Sequence, residues 1–305
     1  MSVGRVLVTG ASGFVGRHAV PALLARGFEV HGASRTRIDQ PGATQHRVDL
    51  LDAGAVARVV DLVCPSHLLH LAWTVTPGAF WTTPENLDWV AASLHLYRAF
   101  AAAGGRRAVG VGSCAEYDWE YSTLDEATTP CRPATLYGVA KHALHQLLAK
   151  AAGQDGISLA WARLFFLYGP HEARARLVPD VTLSLLQGRP ALCGDGLALR
   201  DFMHVVDAAD ALAAVLASDH PGPVNIASGE CVPVRDMILG LAGIVGRPDL
   251  VQLGARPSPP GDPSVLAADV GTLAGLGFHP RHTRGTGLAE TVAWWRARER
   301  AAGDS

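Results

Sequence analysis

Apolar residues recur along this chain in two rhythms. Short, nearly continuous runs, Arg5-Val-Leu-Val-Thr9, Phe28-Glu-Val-His-Gly-Ala33, His67-Leu-Leu-His-Leu-Ala72 and Arg107-Ala-Val-Gly-Val-Gly112, read as four successive strands buried on both faces. Longer stretches with helical spacing separate them; the first runs from Arg17 to Arg26 and stops at Gly27. This alternation predicts an α/β fold, a doubly wound and mostly parallel sheet, with functional groups at the carboxyl ends of the strands. Ser113 follows the fourth strand and stands at such an end.

Composition narrows the setting. The chain has 305 residues, 49% of them hydrophobic, and a net charge of −2. That is enough for one large α/β unit or two unequal ones. The near-neutral balance excludes nucleic acid or an anionic membrane as the main partner. No apolar run approaches the roughly 20 residues of a membrane span. The strand pattern begins at Arg5, so a secretory leader is not expected. Cys64, Cys114, Cys131, Cys193 and Cys231 are odd in number and never spaced CxxC. They suit a reduced, cytoplasmic protein with no structural metal. None of the thirteen histidines shows a metal-ligand spacing.

Between the first strand and the first helix lies Gly10-Ala-Ser12-Gly13-Phe14-Val15-Gly16. A glycine-rich turn there lets backbone N–H groups approach a pyrophosphate at the helix N-terminus, the geometry of a dinucleotide site. The spacing is GxxGxxG. The second strand ends in Ser34-Arg35-Thr36-Arg37, where an NAD site presents a carboxylate to the ribose 2′-hydroxyl. A hydroxyl and two guanidiniums suit a 2′-phosphate instead, so the expected cofactor is NADP(H).

Tyr137 and Lys141 stand four apart, one turn of helix from each other, and Lys141 is one of only two lysines in the chain. A neighbouring ammonium favours the phenolate and lowers a tyrosine pKa from about 10. Such a tyrosine can exchange a proton with a carbonyl or an alcohol near neutral pH.

With these pieces in order, the chain resembles the extended short-chain dehydrogenase/reductases of the nucleotide-sugar epimerase/dehydratase/reductase type. The resemblance spans nearly the whole length: Thr9 to Gly16, His70-Leu-Ala72, Ser113 four before Tyr117, Tyr137-Gly-Val-Ala-Lys141, Arg163 with Tyr168-Gly-Pro170, Arg200-Asp-Phe-Met-His-Val-Val-Asp207, and Leu276 to Pro280 before Trp294-Trp295. It implies a Rossmann doubly wound parallel sheet with a smaller, discontinuous C-terminal substrate domain. Residues 1–164 plus 198–227 would bind NADP, and 165–197 plus 228–305 the nucleotide-sugar. Tyr137 would be the acid/base, Ser113 would hydrogen-bond the same substrate oxygen, and Lys141 would hold the nicotinamide ribose and depress Tyr137. Asp49 and Leu50 would meet the adenine, and Leu71 and Ala72 the cofactor's sugar-phosphate region. Arg200, and Arg256 as a second candidate, would reach the substrate pyrophosphate. Thr74 and Glu116, with Trp73, Tyr117 and Trp119, are expected to line the sugar pocket or to pack locally. His204 is expected to be structural. The resemblance also implies a homodimer through helices that include the one carrying Tyr137.

Departures from the family pattern choose among its reactions. The 4,6-dehydratases carry an Asp-Glu pair directly after the catalytic hydroxyl residue; here Cys114 and Ala115 stand there, with Glu116 one place later. The 3,5-epimerase-reductases use a cysteine and a histidine at positions that match Ala115 and Arg176. Phe166 replaces an asparagine that contacts substrate. Hydride transfer remains. The expected activity is NADPH-dependent reduction of the C4 ketone of a nucleotide-linked 4-keto-6-deoxyhexose, with dTDP the favoured nucleotide. The alternatives are an NAD-dependent 4-epimerase, a reductase of a non-sugar ketone, and a catalytically silent NADP-sensing module.

Overall fold

The computed structural model describes residues 3–36, 39–257 and 261–303. Its strands are β1 (Arg5–Thr9), β2 (Glu29–Ser34), β3 (Thr44–Arg47), β4 (His67–His70), β5 (Arg107–Ser113), β6 (Thr123–Leu124), β7 (Ser158–Leu164), β8 (Phe166–Tyr168), β9 (Ala191–Leu192), β10 (Leu199–His204), β11 (Gly222–Ile226), β12 (Cys231–Pro233), β13 (Val251–Gln252) and β14 (Val265–Ala268). Its helices are α1 (Gly16–Ala25), α2 (Ala53–Val63), α3 (Glu85–Ala102), α4 (Leu136–Asp155), α5 (Leu177–Leu186), α6 (Val205–Ala217), α7 (Val234–Val245), α8 (Gly271–Gly275) and α9 (Arg284–Gly303).

Seven strands form one parallel sheet in the order β11-β7-β5-β4-β1-β2-β3. Helices α1 and α6 pack on one face, where Val6, Val8, Ala19, Leu23, Ala208 and Leu212 share a core. Helices α2, α3 and α4 cover the other, around Leu7, Val56, Leu96, Phe100, Leu144 and Trp161. The two-sided burial explains the continuous apolar runs: Val6, Leu7 and Val8 alternate between the two cores and are all fully buried. The expected doubly wound parallel sheet is present.

A second sheet, β12-β10-β14-β6 with β8 beside β10, and the short pair β13-β9 carry the rest. Helices α5, α7 and α9 pack together near them around Val181, Leu185, Met237, Leu241 and Val292.

Three details differ from the sequence reading. The strand at His67 is the fourth, because β3 precedes it. Asp201 to His204, expected in the segment returning to the large sheet, lie in β10 of the second sheet; the return begins at α6 and is completed by β11. Leu273, Leu276 and Phe278, expected with the substrate domain, pack into the α1/α6 core. Among the described residues no helix is long and apolar enough to cross a membrane.

Candidate active site

The order of the large sheet reverses beside β1, whose neighbours β2 and β4 lead the chain to opposite sides, and the crevice opens at their carboxyl ends. Thr9 closes β1, and its Oγ1 is 2.7 Å from His70 Nδ1 at the end of β4. His70 Nε2 lies 2.8 Å from Ser93 Oγ on α3. Burial holds this imidazole far below its usual pKa, at about 3, so it is a neutral clamp between the two strand ends.

Gly10 follows with φ +70° and donates its N–H to Ala33 O at 2.9 Å. A Cβ on Gly10 would press on the Ala72 amide, and one on Gly16 would collide with the Gly10 carbonyl. The loop Gly10 to Gly16 therefore lies tight against Leu71 and Ala72 and opens directly into α1, with Ser12, Phe14 and Val15 partly exposed along it. This cradle, with backbone where side chains would intrude, fits the pyrophosphate of a dinucleotide.

At the end of β2, Ser34 is buried and donates from Oγ to Thr36 O at 2.7 Å, while Arg35 is exposed. Arg37 lies outside the described residues. Val48 N donates to Ser34 O, bringing Asp49 (exposed) and Leu50 (buried) beside the same strand end.

Strand β5 delivers Ser113 and α4 delivers Tyr137. Helix α4 starts where Thr135 Oγ1 accepts the Gly138 N–H at 3.1 Å. The Tyr137 N–H donates to Trp81 O, and its ring sits edge-on to Phe80 and Trp81, with centroids 5.0 and 5.8 Å away. Trp119 stands against Trp81 at 6.1 Å. The Ser113 side chain lies close enough to the Tyr137 hydroxyl to favour its ionised form. Lys141, one turn on, is buried; its Nζ donates to Val111 O at 2.7 Å and lies 3.7 Å from the centre of the Trp73 ring. Ser113, Tyr137 and Lys141 thus lie together where β5 and α4 meet.

The electrostatics of the trio are not those expected. Burial pushes the Tyr137 phenol above its ordinary pKa, and Ser113 and the Arg176 guanidinium oppose this. Burial also pulls Lys141 down to about 7. Its Nζ faces the Val111 carbonyl and the Trp73 indole.

Glu116 needs a second correction. It is fully buried, 3.1 Å from Arg163 Nε; its Oε1 accepts the Ser113 N–H at 2.9 Å, and both its oxygens accept from Trp161 Nε1. It braces the turn beneath Ser113 and is closed to substrate. Tyr117 is equally internal and donates to Asn225 Oδ1 at 2.8 Å. Cys114 is a packed thiol, pushed up to about 12 by burial.

The remaining expected contacts are already engaged. Thr74 Oγ1 donates to Glu85 Oε2 at 2.8 Å. Arg200, 4% exposed, pairs with Asp262 at 2.7 Å and lies over the Phe166 ring. Arg256 is exposed and pairs with Asp180 on α5 at 3.3 Å. Sequence reasoning missed Phe80 and Trp81, which wall Tyr137. It also treated Arg176 only as a missing histidine, whereas its guanidinium lies over Phe80 and faces Tyr137. The Phe80-Trp81 pair just before α3 was the available signal.

Known proteins match most of the chain. The chain is 28% identical to a dTDP-4-dehydro-6-deoxy-D-allose reductase of Streptomyces bikiniensis, covering 95% of this chain and 96% of that protein. It is 31% identical to a 3-diazoavenalumate denitrifying reductase of a Streptomyces species, over 84% of this chain and 86% of the relative. Its structure superposes on that of the UDP-glucose 4-epimerase of Thermus thermophilus in complex with NAD with a TM-score of 0.83, at 27% identity, covering 96% of this chain and 99% of the other. The model of the NAD dependent epimerase/dehydratase family matches residues 6–227, which hold the glycine loop, Ser113, Tyr137 and Lys141. The chain belongs to that family.

Proposed function

We propose that the chain is an NADPH-dependent 4-ketoreductase acting on a nucleotide-linked 4-keto-6-deoxyhexose, with dTDP as the nucleotide. The observation that carries this reading is the surroundings of Ser113 and Tyr137. The two residues after Ser113 are a buried thiol and an alanine, and the carboxylate that follows, Glu116, is buried against Arg163. Elimination of water needs acid and base at the sugar carbons, and these positions offer neither. Reduction needs a proton donor at the ketone oxygen, and a phenol whose pKa is raised by burial is protonated at neutral pH. Ser113 steadies the same oxygen as charge develops. When bound, the reduced nicotinamide supplies the hydride to C4. Lys141, whose Nζ is fixed by Val111 O and Trp73, would hold the cofactor's ribose.

The choice of NADPH rests on Ser34 and Arg35, where no carboxylate opposes a 2′-phosphate. The substrate lobe in this proposal gathers α5, α7, α9 and the second sheet; the cofactor lobe is the large sheet with α1 to α4 and α6. Two copies would pair through α3 and α4, which expose Leu87, Val139 and Leu147.

A second reading, a reductase of a non-sugar ketone, is favoured by one observation. Tyr137 is walled by Phe80 and Trp81, with Trp119 behind, and Arg200 is held by Asp262. One relative, the 3-diazoavenalumate denitrifying reductase, is also not named for a nucleotide sugar.

The test is NADPH oxidation with a panel of nucleotide 4-ketosugars and, in parallel, of aromatic ketones. Turnover of a nucleotide 4-ketosugar with stoichiometric NADPH, and an axial or equatorial C4 hydroxyl assigned by NMR, is the expected result. Tightly held NAD that co-purifies, with interconversion of C4 epimers and no NADPH consumed, would replace the proposal with the epimerase reading.

A further inference from the structure

Outside the Tyr137 site, β10, the segment before α9, and α9 itself bring together residues far apart in sequence. His204 ends β10 and is 2% exposed, and neither of its ring nitrogens has a hydrogen-bond partner among the described residues. Buried imidazole nitrogens are ordinarily paired, so this orphan calls for a ligand or an explanation. Its ring lies 4.1 Å, centre to centre, from that of His282. His282 lies between two carboxylates: Nε2 is hydrogen-bonded to Glu290 Oε2 at 3.1 Å, and Nδ1 is 3.0 Å from Asp207 Oδ1 without the geometry of a hydrogen bond. Its backbone N–H donates to the other Asp207 oxygen at 2.9 Å. One ligand atom each from His204, His282 and Glu290 lies within 4.8 Å of the others. Beside them is a cavity of about 20 Å³ lined by Tyr168, His204, Asp207 and His282, which is room for one water or one ion.

Two imidazoles and a carboxylate are a borderline-soft nitrogen and oxygen set, the kind that binds zinc with a fourth position left open. Metal–ligand distances of 2.0–2.1 Å place tetrahedral ligand atoms about 3.3 Å apart. The His282–Glu290 spacing of 3.1 Å already matches this. The widest pair in the set must close by at most about 1.5 Å. Asp207 accepts the His282 backbone N–H and stands 3.0 Å from Nδ1, where a small ring rotation would let it orient a ligating imidazole. The nearby guanidiniums face carboxylates of their own: Arg281 toward Asp207 and Asp210, Arg284 toward Asp236. Another grouping, Glu116 with His142 and His145, lacks this freedom because Arg163 and Trp161 already engage its carboxylate.

We propose that His204, His282 and Glu290 form a site for one zinc-class divalent metal ion, oriented by Asp207. The ion fastens α9 and the segment before it to the junction of β10 and α6.

The test uses the full chain. Metal-stripped protein is titrated with cobalt(II), read by its visible d–d bands, and with zinc, read by thermal denaturation with and without a chelator. The expected results are one equivalent bound, tetrahedral cobalt bands, a Tm raised by zinc and restored by the chelator, and affinity reduced at least tenfold in His282→Asn and in Glu290→Gln. These two side chains are partly exposed, so their removal leaves the fold available for measurement even where a His204 variant does not fold. Absence of cobalt bands and of any zinc-dependent Tm shift overturns the proposal. So does binding whose affinity is unchanged in both variants.

Discussion

At the residue scale the decisive quantity is burial. Glu116 and Arg163 are an ion pair with almost no solvent access, and the carboxylate also takes the Trp161 indole N–H. Breaking such a pair by removing one partner costs about 3–5 kcal/mol, because the other charge is left buried and alone. Glu116→Gln, which keeps the shape but removes the charge, is therefore expected to lower unfolding stability by several kcal/mol in urea while the KM of the folded fraction stays the same. A raised KM at unchanged stability would return Glu116 to the substrate pocket. Lys141 gives a second prediction. Its pKa in the folded chain is about 7, below that of an unfolded lysine, so from pH 7 upward the unfolded chain holds the extra proton. Stability then rises with pH through this window, and falls as pH drops toward 7. Relative to Lys141→Met, the cofactor-free protein should gain about 1 kcal/mol per pH unit between pH 7 and 9, measured by denaturant titration. A constant difference across that range would mean that Lys141 is solvated. Neither effect was readable from sequence. The Tyr137–Lys141 spacing put both on one helix, but spacing does not show that the ammonium turns to Val111 O and Trp73. Nor does it reveal that Arg163, on another strand, lies above Glu116.

At the scale of elements, what was legible was local. β1, the glycine loop and α1 are contiguous, so their apolar run, turn residues and helix start are read in one window, and the structure joins them as read. β3 was missed because Thr44-Gln-His-Arg47 is an edge strand with no fully buried residue and hence no apolar signature. β10 was placed in the wrong sheet because a strand's partners are tertiary. The β2 end carries the element-scale prediction. Ser34 and Arg35 occupy the turn where a carboxylate would hold a 2′-hydroxyl and repel a 2′-phosphate. Replacing Ser34 with Asp and Arg35 with Ser should shift the ratio of kcat/KM for NADPH over NADH by about 10²-fold toward NADH, a swing of roughly 3 kcal/mol as expected for losing a charge-assisted contact and gaining a repulsion. The double variant is chosen because Ser34 Oγ, bonded to Thr36 O, shapes the turn while Arg35 projects from it. An unchanged ratio would assign 2′-phosphate selection to another part of the molecule.

At the scale of the whole molecule, the proposed function puts substrate between the cofactor and substrate lobes, and one ion pair separates the two functional readings. Arg200 comes from β10 and is buried; Asp262 comes from the connection leading to β14 and is 39% exposed at its side chain. A guanidinium with one fork on Leu199 O and the other on a carboxylate is satisfied without ligand. A diphosphate bridging the lobes would have to displace Asp262, and would gain a bidentate, charge-assisted contact in its place. Removing the competitor should therefore tighten nucleotide binding. Asp262→Asn is expected to lower the KM for a nucleotide 4-ketosugar, and the inhibition constant of free dTDP, by about 3- to 10-fold, with a smaller effect on kcat. Arg200→Lys, which keeps the charge but loses the fork, should raise both constants by about 10-fold or more. If the substrate has no diphosphate, both variants leave KM alone and only stability responds. A KM that moves in opposite directions in the two variants is thus the signature of a nucleotide-linked substrate held across the lobes. It can be read with dTDP alone, before the sugar is identified.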